Sequence, residues 1–183
     1  ASDRTYAVLP VSHIFGLAST LLGSLMAGAA VRLAPRFAPV DVLKSLKEDG
    51  ITVLQGVPAM YAKMLEHLNT RGEKLDAPHV RYLSAGGSPL DVDLKREVEA
   101  LFGVALNNGY GLTECSPTVS QTRIETPCTD DTVGPLLPGL DVRFLDADGT
   151  AVPDGEAGEL WVSGPNLMLG YYRAPEMTAE VLS

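Results

Sequence analysis

A chain of 183 residues with 45% hydrophobic content can bury a sizeable core, and its length allows one domain or one and a part. Its 14 Lys and Arg against 23 Asp and Glu give a net charge of −9 without a basic cluster, which argues against nucleic acid as a partner. The longest apolar stretch, residues 14–31, is interrupted by hydroxyl side chains and glycines, so it predicts a buried helix and no transmembrane segment. Cys115 and Cys128 are the only cysteines, and a reducing cytoplasm is the expected compartment.

Short apolar or β-branched runs alternate with helical patterns over the first 112 residues. The runs that predict strands are 6–9, 30–33, 52–54, 80–83 and 104–106. One helix is expected to begin at Pro58, and another to be capped by Ser88 with Pro89 in its first turn. Strands that alternate with helices at this spacing predict an α/β fold, with a mostly parallel sheet and helices on both faces.

The pattern changes after about residue 118. Short strand patterns are separated there by turn sequences at 146–149 and 153–155, and no long helical pattern follows. We therefore expect two parts, an α/β subdomain over residues 1–118 and a small β-rich, barrel-like or sandwich-like subdomain over residues 119–183.

Residues 108–114, Asn-Gly-Tyr-Gly-Leu-Thr-Glu, combine an aromatic ring, a hydroxyl and a carboxylate with two glycines. Gly109 and Gly111 would let the chain turn sharply and approach a ligand closely. Tyr110 could lie on a purine, Thr113 could donate to a phosphate oxygen, and Glu114 is a hard oxygen ligand of the kind that Mg²⁺ accepts. The alternative from these residues alone is a tight turn with solvated polar side chains.

A second glycine-rich segment, residues 85–88, follows the strand predicted at 80–83. Residues 108–114 follow the strand predicted at 104–106, and ligands gather beyond the carboxyl ends of strands in open parallel sheets. Both segments are therefore expected at one edge of the sheet. A plain turn before a Pro-initiated helix is the other interpretation of Gly86 and Gly87.

Four ordered motifs, spread over nearly the whole chain, resemble those of the adenylate-forming superfamily, which includes acyl-CoA synthetases, aryl-CoA ligases, luciferases and peptide-synthetase adenylation domains. The matching segments are Leu-Pro-Val-Ser-His-Ile-Phe-Gly at 9–16, Leu-Ser-Ala-Gly-Gly-Ser-Pro-Leu at 83–90, Gly-Tyr-Gly-Leu-Thr-Glu at 109–114, and the Gly-Glu-Leu, Gly-Pro, Gly-Tyr-Tyr, Pro-Glu and Thr-Ala pairs and triplets between 158 and 179.

The resemblance implies roles for particular residues. Nucleotide contacts are implied for Gly86, Gly87, Ser88, Asn108, Gly109, Tyr110, Gly111 and Thr113, with Asn108 on the edge of the adenine. An acyl pocket is implied for His13, Phe15, Gly87, Gly109, Val133 and Gly134, and catalytic roles for His13, Thr113 and Glu114, the last as the Mg²⁺ ligand.

The reaction implied by the resemblance has two steps and uses ATP, Mg²⁺ and CoA. A carboxylic acid attacks the α-phosphorus of ATP to give an acyl-adenylate, and the CoA thiol then displaces AMP. Residues 11–16 lack the aspartate with which amino-acid-activating relatives bind an ammonium group, so a fatty or aryl acid is expected. His13 considered alone is as compatible with a packed, half-buried residue beside Phe15 as with a pocket residue.

Segments that the superfamily carries elsewhere are missing from these 183 residues, namely a phosphate-binding loop, a ribose-binding aspartate and a C-terminal lysine. We therefore expect a central piece of a longer ligase that does not turn over alone and whose exposed faces favour self-association. Three alternatives remain open: a non-catalytic nucleotide-binding module, an α/β interaction module, and an adenylation domain of another subclass.

Overall fold

A computed structural model describes residues 3–182. In this part of the chain six strands form one sheet in the order β2-β1-β3-β4-β5-β6, with β1 to β5 parallel and β6 antiparallel to β5. The strands are β1 (Arg4–Ala7), β2 (Ala30–Leu33), β3 (Val53–Gly56), β4 (Tyr82–Ala85), β5 (Leu106–Gly111) and β6 (Thr118–Gln121). The predicted mostly parallel α/β fold is confirmed.

Helices connect the parallel strands. They are α1 (a wide π-helical segment, Phe15–Leu22, continuing as Gly23–Met26), α2 (Pro39–Glu48), α3 (Pro58–Arg71) and α4 (Val92–Phe102). The chain passes from β1 outward to β2 and then to the other side of β1, so right-handed crossovers put α1 on one face and α2, α3 and α4 on the other. This reversal beside β1 is the topological switch point at which α/β sheets bind ligands.

The main core lies between the sheet and α2, α3 and α4. Its fully buried members include Leu46, Leu54, Met64, Leu83 and Val98. Pro58 occupies the first turn of α3 as predicted, where its missing N–H costs nothing, and Gly72 ends the helix at φ 63°.

Two local predictions on helices were wrong. The buried helix expected over residues 14–31 is shorter and less buried, because α1 ends at Met26, its Leu22, Leu25 and Met26 side chains are exposed, and the chain turns at Gly28 into β2. The cap of α4 is Asp91 and not Ser88, since Asp91 Oδ1 accepts the backbone N–H groups of Asp93 and Leu94 at 3.0 and 2.9 Å.

The β-rich part is a second, antiparallel sheet of β7 (Asp141–Leu145) and β8 (Glu159–Ser163), followed by the short helix α5 (Pro175–Val181). Cys115 and Val119, which lie on either side of the predicted boundary, share a small core with Leu140 of the β-rich part. Strand β6 crosses the boundary predicted at residue 118 and joins the large sheet, so the division at 118 stays a prediction.

Several large apolar side chains are exposed in the described residues. They include Leu25 and Met26 on α1 and Leu169 and Tyr172 before α5. No helix between residues 3 and 182 combines the length and the apolar character needed to cross a bilayer. The expected self-association stays a prediction.

Candidate nucleotide and acid site

A cavity of about 330 Å³ lies at the carboxyl ends of β3, β4 and β5, beside the start of α1. Nine of the predicted site residues line it: His13, Phe15, Gly86, Gly87, Gly109, Tyr110, Gly111, Thr113 and Glu114. Because β4 and β5 are parallel, with Ala85 opposite Asn108, the two glycine-rich segments meet at one edge of the sheet, as predicted.

One wall of the cavity is formed by α1 and the end of β4. The ring of Phe15 lies over Gly86, with its Cε1 atom 3.3 Å from where a Cβ on Gly86 would stand. His13 Nδ1 accepts the backbone N–H of Phe15 at 3.2 Å, which satisfies a donor at the start of α1. Because Nδ1 is the acceptor, a neutral His13 ring carries its proton on Nε2. A π-helical segment such as this one is rare in proteins, and π-helical turns occur frequently at functional sites.

The opposite wall is strand rather than loop, which corrects the sequence prediction. Strand β5 extends to Gly111, and its residues 109–111 pair with β6 around a bulge between Tyr110 and Gly111. A Cβ on Gly111 would stand 2.1 Å from the carbonyl oxygen of Pro117, so this glycine is needed for close approach of the chain to itself. Tyr110 is therefore held on a hydrogen-bonded strand, with its ring partly exposed at the cavity.

Thr113 and Glu114 follow on a 3₁₀ turn, Thr113–Cys115. The half-buried Glu114 carboxylate accepts a hydrogen bond from the Tyr171 hydroxyl, with 2.5 Å between Oε1 and Oη. This bond favours the ionised form and holds the pKa of Glu114 below its usual range. The cavity thus presents a hydroxyl and a fixed carboxylate close together in the chain.

Four of the predicted site residues are not on the lining. Ser88 is exposed, and Val133 lies in the loop after residue 122. Gly134 packs against β6, where a Cβ would come within 2.2 Å of the Thr122 nitrogen. The Asn108 amide donates to the carbonyl oxygens of Asp131 and Thr132, at 2.8 and 3.3 Å, and would have to leave them to reach an adenine.

The structure adds polar lining residues that the sequence did not single out. They are Ser19, Gln55, Ser84, Thr118 and Gln121. The side-chain oxygen of Gln55 is buried without a hydrogen-bond partner. A glutamine within the otherwise apolar strand β3 was a signal for this residue, whereas nothing local pointed to the others.

The metal expected at this site can be tested against the donors present. No three His, Cys, Asp or Glu side chains form a metal-binding group among residues 3–182. Mg²⁺ is commonly held by one or two carboxylates, with substrate phosphates and water completing its shell. One half-buried carboxylate at the cavity, that of Glu114, fits a cation that arrives with a nucleotide.

Comparison with known proteins gives consistent results. The family model described as AMP-binding enzyme matches residues 1–172. A feruloyl-CoA synthase from Amycolatopsis sp is 36% identical over 186 residues, covering 100% of this chain and 37% of that synthase. A long-chain-fatty-acid–CoA ligase from Yersinia pestis is 36% identical over 182 residues, covering 98% of this chain and 32% of that ligase. The chain thus spans about a third of the length of these curated relatives.

Solved structures share the fold. ATP-bound MatB from Rhodopseudomonas palustris superposes with a TM-score of 0.86 and 32% sequence identity, covering 98% of this chain and 35% of that chain. Over 98% of this chain the backbone thus follows that of a nucleotide-bound relative.

Proposed function

The chain belongs to the AMP-binding enzyme family, and from this premise we propose that the full-length protein is an AMP-forming acid–CoA ligase. It would activate a carboxylic acid with ATP and transfer the acyl group to CoA. The observation that carries the proposal is the cavity itself, in which Tyr110, Thr113 and Glu114 meet the Gly86–Gly87 segment at the carboxyl ends of β4 and β5.

The β5 side of the cavity suits the nucleotide. Tyr110 offers an aromatic face held by strand pairing, and the Gly86–Gly87 segment of the opposite wall has no side chain of its own to fill the space between the two walls. Thr113 would donate to a phosphate oxygen. Contacts of Ser88 and Asn108 with the nucleotide stay predictions.

The α1 and β3 side suits the acid. Phe15 supplies apolar surface, while His13, Ser19 and Gln55 add polar groups. We propose an aryl or aliphatic acid, which agrees with the feruloyl-CoA synthase and fatty-acid ligase among the relatives. The polar lining favours an acid that carries a hydrogen-bond donor away from its carboxylate. Contributions of Val133 and Gly134 to this pocket stay predictions.

The chemistry requires charge stabilisation and no general base. A carboxylic acid has an ordinary pKa of about 4, so it is already the ionised nucleophile at neutral pH. The difficulty is to bring this anion against the triphosphate. Glu114 would hold Mg²⁺, which on binding neutralises phosphate charge, while the Thr113 hydroxyl would donate to an oxygen on which charge develops. The fixed Glu114 carboxylate acts by electrostatics.

The test is acid-dependent exchange of pyrophosphate into ATP by the full-length protein, followed by CoA-dependent release of AMP, over a panel of aryl and aliphatic acids. Glu114→Gln should lower the exchange rate by about 10² or more. Glu125→Gln, a change at an exposed position away from the cavity, is the matched control and should behave like the wild type.

Each possible result has a distinct meaning. Exchange without CoA-dependent AMP release would indicate an adenylating enzyme with another acceptor. Nucleotide binding without exchange for any acid would indicate a non-catalytic module. Normal exchange in Glu114→Gln would reject the assigned role of this residue. The cytoplasmic location stays a prediction.

A further inference from the structure

Residues 166–171, here called the brace, lie about fifty residues after the Thr113–Thr118 segment in sequence and fold back onto it. Asn166 Nδ2 donates to the carbonyl oxygens of Cys115 and Thr118, at 2.7 and 3.0 Å. The backbone N–H of Met168 donates to the carbonyl oxygen of Glu114 at 2.8 Å. The brace therefore holds the backbone of the turn that carries Glu114, and Tyr171 holds its side chain.

The brace is itself anchored at α5. Thr178 Oγ1 accepts the backbone N–H of Tyr171 at 2.9 Å and donates to the carbonyl oxygen of Ala174 at 2.9 Å. Gly170 lies so close to Thr178 that a Cβ would come within 2.9 Å of its methyl carbon. The backbone that carries the Tyr171 ring is thus held against α5 independently of the bond to Glu114.

We propose that Tyr171 is a positioning residue for Glu114, which selects one orientation of that carboxylate at the cavity; this inference rests on the proposed function. A glutamate side chain on a short turn has several rotamers, and a bond from a neutral hydroxyl to an ionised carboxylate is a strong restraint. The rigid Tyr side chain occupies one oxygen, Oε1, and leaves the other to face a cation or a donor. Tyr171 does not line the cavity, so it acts through Glu114.

The neighbouring Tyr172 provides a matched control. Its side chain is 86% exposed, its ring lies under the Arg173 guanidinium at 5.2 Å, and its hydroxyl bonds to nothing within the described residues. Tyr171→Phe and Tyr172→Phe each remove one hydroxyl from adjacent positions. Only the first removes a contact with the site.

The experiment uses the full-length protein with Tyr171→Phe, Tyr172→Phe, Glu114→Ala and the double variant Tyr171→Phe/Glu114→Ala. Pyrophosphate exchange is measured over a range of Mg²⁺ concentrations, ATP binding is measured by calorimetry with and without Mg²⁺, and the melting temperature is recorded. Tyr171→Phe should lower exchange by about tenfold to a hundredfold and raise the Mg²⁺ concentration for half-maximal rate. ATP affinity without Mg²⁺ and the behaviour of Tyr172→Phe should stay within about twofold of wild type.

The double variant separates positioning from a structural role. If Tyr171 acts through Glu114, adding Tyr171→Phe to Glu114→Ala should cost no more than about twofold. A full additional loss, or a parallel fall of Mg²⁺-free ATP affinity and melting temperature, would overturn the proposal. If the wild type forms no adenylate, the proposed function fails. The positioning role can then still be tested by ATP binding. It is supported if Tyr171→Phe weakens the Mg²⁺-dependent part of the ATP affinity, and it is rejected if Tyr171→Phe leaves that part unchanged or if the wild type has no such part.

Discussion

The ring of Phe15 occupies the space beside Gly86 that a side chain would fill, since the Phe15 Cε1 atom lies 3.3 Å from the place where a Cβ on Gly86 would stand. Two segments separated by 70 residues of sequence thus set the width of the site. Gly86 has ordinary backbone angles, whereas Gly87 stands at φ 80° and any side chain there would be strained. Gly86 is therefore the position at which a substitution can change the size of the site without straining the backbone.

Gly86→Ala should push the Phe15 ring into the cavity by a few tenths of an ångström. We expect KM for the acid to rise by about tenfold for the bulkiest substrates, with a much smaller change in KM for ATP. Steady-state kinetics of the full-length protein with acids of increasing size measure this effect. Adding Phe15→Leu should restore much of the loss, and an equal loss for every acid would contradict the steric explanation.

Gln55→Leu should reduce the preference of the site for hydroxylated acids over unsubstituted ones. Its buried side-chain oxygen has no partner in the cavity wall, so an acid with a suitably placed hydroxyl would satisfy it. Selectivity between a hydroxylated acid and its unsubstituted analogue, measured as the ratio of kcat/KM values, should fall by about tenfold or more. The melting temperature should not fall, since an unpaired buried acceptor is removed. An unchanged ratio would mean that the acid does not reach Gln55.

Lys95→Met should loosen the loop at 128–132. Lys95 is 1% exposed, and its ammonium group donates to the carbonyl oxygens of Cys128 and Asp130 at 2.7 and 3.0 Å. Loss of these charge-assisted bonds should cost about 2–3 kcal/mol, visible as a lower melting temperature and faster cleavage of the loop by proteases. Lys44→Met is the control, because Lys44 is exposed and its ammonium group forms a loose ion pair with Glu48 at 3.9 Å. Equal effects of the two changes would contradict this account.

The ion pair of Asp3 with Arg81 should contribute to stability in a defined pH range. Arg81 Nε donates to Asp3 Oδ1 at 2.7 Å, and the Arg81 and Thr52 hydrogen bonds lower the pKa of Asp3 from 3.8 to about 2. A lowered folded-state pKa adds stability that is complete above pH 3.8 and is lost as the pH falls toward 2. Arg81→Leu should thus be less stable than the wild type at pH 5 to 7, and the difference in melting temperature should shrink below pH 4. Arg71→Leu, whose partner Glu73 lies 3.9 Å away at the surface, should show no such trend.

The sequence was most informative where structure depends on local pattern. The strand at 30–33 and the helix from Pro58 lie where the local pattern predicted them, because short apolar and β-branched runs favour strands and Pro suits the first helical turn. The motif residues also meet at one edge, since parallel strands place their carboxyl ends together. These features require no knowledge of distant contacts.

The errors arise from contacts between distant residues. Residues 109–111 resemble a turn because glycine is unfavourable in strands, yet pairing with β6 makes them part of β5. Tyr171 belongs to a segment that was matched to the family, but its bond to Glu114 joins residues 57 apart in sequence. Spacing and composition contain no signal for such a contact.

The pairing of β5 with β6 also determines which changes in length the site can accept. Asn108 and Thr122 are tied together by backbone and side-chain hydrogen bonds, which fix one register. A shift of one residue would turn Tyr110 to the other face of the sheet. An insertion between residues 112 and 117 should therefore abolish the site, whereas the turn at 146–149, closed by Asp146 far from the cavity, should accept one. This site can diversify by exchange of side chains, but not by growth or shortening of its connecting loop.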